Sequence, residues 1–112
     1  MVKAYVPARG DIVFLQFSSQ QGREQAGMRP AFVLSPKEYN EKVGVMIACP
    51  ITSRTKGYPF EVALQSGLKT RGVVLSDHVK SLDWKARKAR FVERVPVHTL
   101  SDIMRKLLLL LQ

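Results

Sequence analysis

Short apolar stretches separated by polar turns fill most of this 112-residue chain. Residues 11–17 follow the breakers Pro7 and Gly10 and are rich in β-branched and aromatic side chains, so they predict a strand. Residues 30–34 predict a second strand, and the continuous apolar run 45–51 predicts a third that is buried on both faces. Further strands are predicted at residues 60–64, 72–75 and 86–95. The pattern is therefore mainly β.

Breakers and capping residues divide these strands. Ser35 as N-cap and Pro36 at the first helical position predict a short helix over residues 35–40, which ends before Gly44. Pro50 has no N–H to donate to a ladder, so we expect it at a margin of the sheet.

From residue 96 onward the apolar positions recur at helical spacing and predict a C-terminal helix. One face carries Leu100, Ile103, Met104, Leu107, Leu108 and Leu111. Core packing accounts for this face, but residues 107–111 are apolar nearly all round. Part of the helix is therefore a candidate contact with a second subunit.

Short strands, polar loops at the strand ends and one C-terminal helix are typical of a small, half-open antiparallel barrel. We expect one domain over residues 1–112, because the chain is long enough for one core and too short for two. In such a barrel the loops at residues 24–29, 52–56 and 76–81 converge although they are distant in sequence. Their convergence predicts a shared site.

The net charge of the chain narrows the range of partners that it is expected to bind. Eighteen Lys and Arg against nine Asp and Glu give a formal charge of +9, which favours polyanions such as nucleic acid or an acidic protein segment. Residues 80–94 hold much of this charge, either as a solvated face or as a track for an RNA backbone. Trp84 within it is a core or interface residue, or alternatively a platform for base stacking. Phe17 and Tyr58 are mostly core candidates.

Few residues could support metal or thiol chemistry. Cys49 lies in an apolar run, which indicates a buried side chain and not a nucleophile. One cysteine and two histidines without ligand-like spacing argue against a zinc site, and we expect no cofactor. Without a signal peptide or an apolar stretch of membrane-spanning length, we expect a cytoplasmic protein with no membrane association.

The three loops instead carry groups that suit a phosphodiester. Arg29 offers a planar fork of donors for a phosphate or a developing phosphorane, and Thr52 adds a hydroxyl donor. Ser53, Arg54 and Lys56 add phosphate-binding capacity. RNA carries its own nucleophile, the 2′-hydroxyl, so its cleavage requires neither a metal nor a nucleophilic side chain.

Seven stretches run in the order found in one protein family: YVPARGD at 5–11, EQAGMRP at 24–30, VLSP at 33–36, PITS at 50–53, KGYPFEV at 56–62, GVVLSD at 72–77 and VKS at 79–81. In these stretches the chain resembles the MazF/PemK family of toxin endoribonucleases, in particular its enterobacterial MazF type. The C-terminal helix resembles that of the family only in its general character and carries no matched motif.

The resemblance implies a compact SH3-like barrel, a homodimer, and sequence-specific cleavage of single-stranded RNA without a metal. The expected products have 2′,3′-cyclic phosphate and 5′-hydroxyl ends. It also implies an acidic antitoxin of the MazE type, for which a chain of +9 is a suitable receptor.

The resemblance also implies catalytic roles for Arg29, Thr52 and Glu24. A guanidinium hardly deprotonates, so we expect Arg29 to stabilise the phosphorane with Thr52 as second donor, and we take Glu24 as the candidate base. RNA contacts are expected from Gln25, Ser53, Lys56, Asp77, His78, Lys80 and Arg87. For His78, catalysis, RNA contact and a structural role all remain open.

A noncatalytic nucleic-acid-binding module, or a toxin directed at DNA gyrase on the same barrel, is the alternative. The pairing of Arg29 with Thr52 favours the endoribonuclease, because a gyrase-directed toxin has no need of a phosphorane-stabilising pair.

Overall fold

The computed structural model describes residues 4–17 and 27–112, which form an antiparallel sheet with two helices. Its elements are β1 (Asp11–Gln16), β2 (Met28–Val33), α1 (Lys37–Val43), β3 (Met46–Thr52), β4 (Glu61–Ala63), β5 (Val73–Leu75), β6 (Lys80–Leu82), β7 (Arg90–Arg94) and α2 (Val97–Leu109). The mainly β fold class with short helices and a C-terminal helix is confirmed.

Strand β3 organises the sheet. The strands lie in the order β4-β5-β3-β2-β1-β7, and β6 also pairs with β3. Every pairing is antiparallel. Beside β2, residues 46–48 of β3 pair with β6, whereas residues 51–52 pair with β5. One continuous strand therefore joins the two halves of the sheet.

Pro50 does not lie at a margin of the sheet as predicted. It lies inside β3 opposite Ala31 of β2, between the stretch that pairs with β6 and the stretch that pairs with β5. Proline is tolerated there because β3 changes partners at this point, so the missing N–H interrupts no pairing on that side.

Two other local predictions were wrong. Ser35 does not cap α1, whose N-cap is Pro36 without a side-chain hydrogen bond. The Ser35 hydroxyl instead donates to Asn40 Oδ1 (2.5 Å) and accepts the N–H of Ile47 (2.8 Å). The last strand begins at residue 90, not 86, because the Ala89 N–H closes a turn onto the Trp84 carbonyl oxygen (2.9 Å).

Two apolar clusters form the core. The first contains Phe32, Cys49 and Ile103, so α2 packs on this cluster through Ile103. The second contains Val33 and Trp84. Cys49 is fully buried and Trp84 is 7% exposed, with its Nε1–H donating to the Asn40 carbonyl oxygen at 2.9 Å. The core assignments of both residues are confirmed.

The C-terminal helix is only partly covered. Residues 100, 104 and 107 pack against the first cluster, as predicted for one face. The leucines at 108–111 are 48 to 71% exposed. Among the residues described, no helix has the length and apolar character needed to cross a bilayer.

Candidate RNA-cleaving site

Arg29 of β2 and Thr52 of β3 line one cleft, just beyond the residues at which the two strands pair. The paired stretch of the two strands ends at Ala31 and Pro50, and Arg29 and Thr52 each lie two residues beyond it. Both line one cleft of about 430 Å³, here called the Arg29 cleft. Its lining residues are Arg29, Pro30, Ile51, Thr52, Ser53, Arg54 and Arg71.

The end of β3 holds Thr52 in a defined position. Thr52 pairs with Val73 of β5, and its Oγ1 accepts the N–H of Arg54 at 3.1 Å. Gly72 lies against the backbone of the same residue: a Cβ added there would overlap the Thr52 carbonyl oxygen and lie 2.8 Å from the carbonyl carbon. With φ at +118°, position 72 strongly favours glycine.

A second cleft of about 570 Å³, here called the Asp77 cleft, adjoins the first. Its lining residues are Thr52, Arg54, Lys56, Tyr58, Glu61, Leu75, Asp77 and His78. Thr52 and Arg54 line both clefts, so the two form one continuous surface. The structure thus brings together the loops at 52–56 and 76–81.

Known proteins that resemble this chain identify its family. Residues 8–111 match the model of the family described as PemK-like, MazF-like toxin of type II toxin-antitoxin system. The chain belongs to this family. It is 53% identical over 89 residues to the endoribonuclease toxin MazF of Escherichia coli K12, covering 80% of this chain and 79% of that protein.

Solved structures of family members match throughout. MazF from Deinococcus radiodurans (Form-I) superposes with a TM-score of 0.87 at 52% identity, over 96% of this chain and 98% of that one. A MazE–MazF structure (Form-II) from the same organism gives 0.86 at 48% identity, over 96% and 97%. Family membership makes the chain a toxin endoribonuclease, and the predicted family and enzyme class are confirmed.

Hydrogen bonds order the Asp77 cleft of this family member. The Tyr58 hydroxyl donates to Asp77 Oδ1 at 2.8 Å and lies 3.4 Å from His78 Nε2. Glu61 accepts the N–H groups of Lys56 and Gly57, each at 2.9 Å, which holds the loop that carries Lys56. Tyr58 is therefore a cleft residue and not the core residue predicted.

Two groups in and beneath this cleft keep their protons well into the alkaline range. Burial, and then the charge of Asp77, raise the pKa of Cys49 to about 12. Partial burial, then the hydrogen bond to and charge of Asp77, and finally Glu61, raise the pKa of Tyr58 to about 12. Near neutral pH, Tyr58 is a hydrogen-bond donor and Cys49 is an unreactive thiol.

Stability should consequently fall in alkali. The unfolded chain releases the Cys49 and Tyr58 protons from their ordinary pKa values of 9.0 and 10.0, whereas the folded chain holds them to about 12. Rising pH therefore favours the unfolded state across this window. We expect a lower urea midpoint at about pH 10.5 than at about pH 8. The decrease should be smaller for Tyr58→Phe; an equal or larger decrease in that variant would contradict the assignment.

Lys80 and Arg87 line neither cleft. Lys80 Nζ lies 5.8 Å from the ring centroid of Phe17, which packs against the second cluster as predicted. Arg87 donates to the carbonyl oxygens of Gln16, at 3.1 Å, and of Phe17. Arg87 thus anchors the chain where it leaves β1. RNA contact by either residue stays a prediction.

Some of the remaining predicted site residues lie in one of the two clefts, and others lie outside the part of the chain that the structure describes. Ser53 lies in the Arg29 cleft, whereas Lys56, Asp77 and His78 lie in the Asp77 cleft. Glu24 and Gln25 lie outside the described residues. The sequence analysis did not single out Gly72 or Arg71 as site residues. The feature that could have identified them is a glycine at the start of a matched strand, directly preceded by an arginine.

Proposed function

We propose that this family member cleaves single-stranded mRNA at a specific short sequence, independently of the ribosome and without a metal ion, and so inhibits translation and growth. The 2′-hydroxyl attacks the adjacent phosphorus, the bond to the 5′-oxygen breaks, and the products carry 2′,3′-cyclic phosphate and 5′-hydroxyl ends. The Arg29 cleft carries this proposal, because it contains both the guanidinium-bearing Arg29 of β2 and the hydroxyl-bearing Thr52 of β3.

In this mechanism Arg29 donates N–H groups to the phosphorane oxygens and stabilises their developing charge. Thr52 Oγ1 already accepts the N–H of Arg54, so its own hydrogen is available to donate to the phosphate. Accepting that bond also makes the hydroxyl a better donor. Glu24 is the proposed base that takes the proton from the 2′-hydroxyl, and the departing 5′-oxygen takes a proton from water.

The Asp77 cleft is the proposed binding region for bases beside the scissile phosphate. Asp77 and His78 offer hydrogen-bonding groups to base edges, and the cation of Lys56 suits the backbone. Ser53 can donate to the same backbone from the Arg29 cleft. Contacts from Gln25, Lys80 and Arg87 would extend the path along the basic surface.

The proposed protein partners are an acidic antitoxin of the MazE type and a second copy of the chain. Supporting the first are the formal charge of +9 and the MazE–MazF structures of the Deinococcus relative. Supporting the homodimer are the exposed leucines at 108–111 at the end of α2. We place the toxin in the cytoplasm, where mRNA is available.

The decisive experiment incubates purified protein with a long single-stranded RNA in EDTA, beside Arg29→Ala, and maps the new ends by primer extension and end chemistry. We expect wild-type cuts at one short motif with 5′-hydroxyl ends, and no detectable cuts from the variant in the same incubation. Intact RNA with folded, antitoxin-free protein would contradict the proposal. DNA gyrase would then be tested as the target.

A further inference from the structure

Glu93 joins the two ends of the sheet. It lies half-buried on β7, which ends one side of the strand order, and its carboxylate reaches the loop between β4 and β5 at the other side. Glu93 Oε1 accepts the N–H of Lys69 at 2.9 Å. Glu93 Oε2 accepts the N–H and the Oγ1–H of Thr70, both at 2.8 Å. Three donors thus hold residues 69 and 70 against β7.

The bound carboxylate is the charged form. Partial burial acts to raise the pKa of Glu93, but the donors from Lys69 and Thr70, with the Lys69 charge, outweigh it and lower that pKa. The contact therefore persists at neutral pH.

The two residues that follow this contact enter the Arg29 cleft. Arg71 is exposed and lines the cleft, and Gly72 lies on the backbone of Thr52. A hydrogen bond of 2.9 Å from the Leu64 N–H to the Gly72 carbonyl oxygen closes the loop at its base. The position of Arg71 is thus determined on one side by Glu93 and on the other by Gly72.

Arg71 has capacity for an RNA phosphate. Within residues 4–17 and 27–112, its guanidinium has no ion-pair or hydrogen-bond partner. It lies in the cleft that contains Arg29 and Arg54, where the proposed mechanism assigns the scissile phosphate to Arg29. A second phosphate of the same strand is the anionic ligand that this additional guanidinium fits.

We propose that Arg71 binds an RNA phosphate next to the scissile one, and that Glu93 is a positioning residue that holds Arg71 in the cleft through residues 69 and 70. This inference rests on the proposed function, since it concerns the same cleft and the same substrate. Loss of Arg71 or of Glu93 should therefore weaken RNA binding and leave the chemical step unchanged.

The test measures KM, kcat and their salt dependence for Glu93→Ala, Arg71→Ala and the double variant. Arg71→Ala should raise KM about tenfold with kcat little changed. It should also reduce the slope of log affinity against log salt by about 0.7, the value for one lost phosphate contact. Glu93→Ala should raise KM similarly, and the double variant should be no worse than Arg71→Ala, because the two residues act through one contact.

Glu38→Ala is the matched control. Glu38 is an exposed acid in the first turn of α1 and lines neither cleft. Both substitutions remove one negative charge, which by itself strengthens RNA binding. Glu38→Ala should therefore leave KM unchanged or lower, whereas Glu93→Ala raises it. The opposite direction of the two KM changes distinguishes a positioning role of Glu93 from a general effect of net charge.

Three results would overturn the inference: an unchanged KM in Arg71→Ala, a KM in Glu93→Ala that follows Glu38→Ala, or additive effects in the double variant. Arg71 is exposed, so its variant remains informative even if Glu93→Ala is unstable. Wild-type protein that fails to cleave, or Arg29→Ala that cleaves normally, would instead contradict the proposed function. The two failures are therefore distinguishable.

Discussion

Arg29→Ala is expected to lower kcat about 10²- to 10³-fold, the usual cost of removing one preorganised donor to a developing oxyanion. Arg29 is exposed near the start of β2 and lines the same cleft as Thr52 of β3. Its loss removes donors to the phosphorane while the core clusters stay intact. Single-turnover cleavage of a short RNA containing the mapped motif measures the effect, and circular dichroism verifies folding.

Arg29→Lys is the matched control for charge. Lysine keeps the cation but lacks the planar fork, so it can oppose the phosphorane charge without donating two parallel hydrogen bonds. We expect kcat between those of the wild type and Arg29→Ala. Full activity in Arg29→Lys would show that charge alone is sufficient. Full activity in Arg29→Ala would exclude Arg29 from catalysis.

Gly72→Ala is expected to abolish cleavage and to destabilise the fold by more than about 3 kcal/mol. The new methyl group would overlap the Thr52 carbonyl oxygen and lie 3.1 Å from Ser53 Cα, all on backbone that cannot rotate away. The end of β3 must therefore move, and Thr52 with it. Urea unfolding measures the stability, and the cleavage assay measures the activity at a temperature where the variant is folded.

Gly67→Ala is the control that separates the cost of the left-handed backbone conformation from the cost of steric overlap. Gly67 lies in the same loop with φ at +100°, but a Cβ added there has no atom within 4 Å. It should therefore cost only the left-handed conformation, about 1 to 2 kcal/mol, and leave cleavage intact. If Gly72→Ala were as active and as stable as Gly67→Ala, the close approach to Thr52 would have no functional consequence.

The strands of this fold could be predicted where burial alone decides them. Residues 45–51 form an apolar run because β3 is covered on both faces, and β3 occupies Met46–Thr52. Strand β6 (Lys80–Leu82) corrects the loop predicted at residues 76–81. The apolar pattern does not indicate this strand, because two of its three side chains are exposed. It is a strand because β3 offers pairing partners at residues 46–48, which are remote in sequence.

The composition of the site was predictable, but its geometry was not. Arg29 and Thr52 lie in matched motifs, so the sequence identified them by resemblance. Their meeting in one cleft depends on the pairing of β2 with β3, which only the folded sheet provides. Tyr58 shows the same limit, since its hydrogen bond to Asp77 spans 19 residues and places it in a cleft and not in the core.

By itself, the sequence determined the family, the mainly β fold, the buried Cys49 and Trp84, and the excess of positive charge, because these depend on local periodicity, residue type and matched motifs. Only the tertiary structure decided that Gly72 packs on Thr52, and that Glu93 on β7 holds the loop that brings Arg71 to the cleft. Closure of the sheet creates these contacts between residues about 20 positions apart, and no local pattern in the chain encodes such a distance.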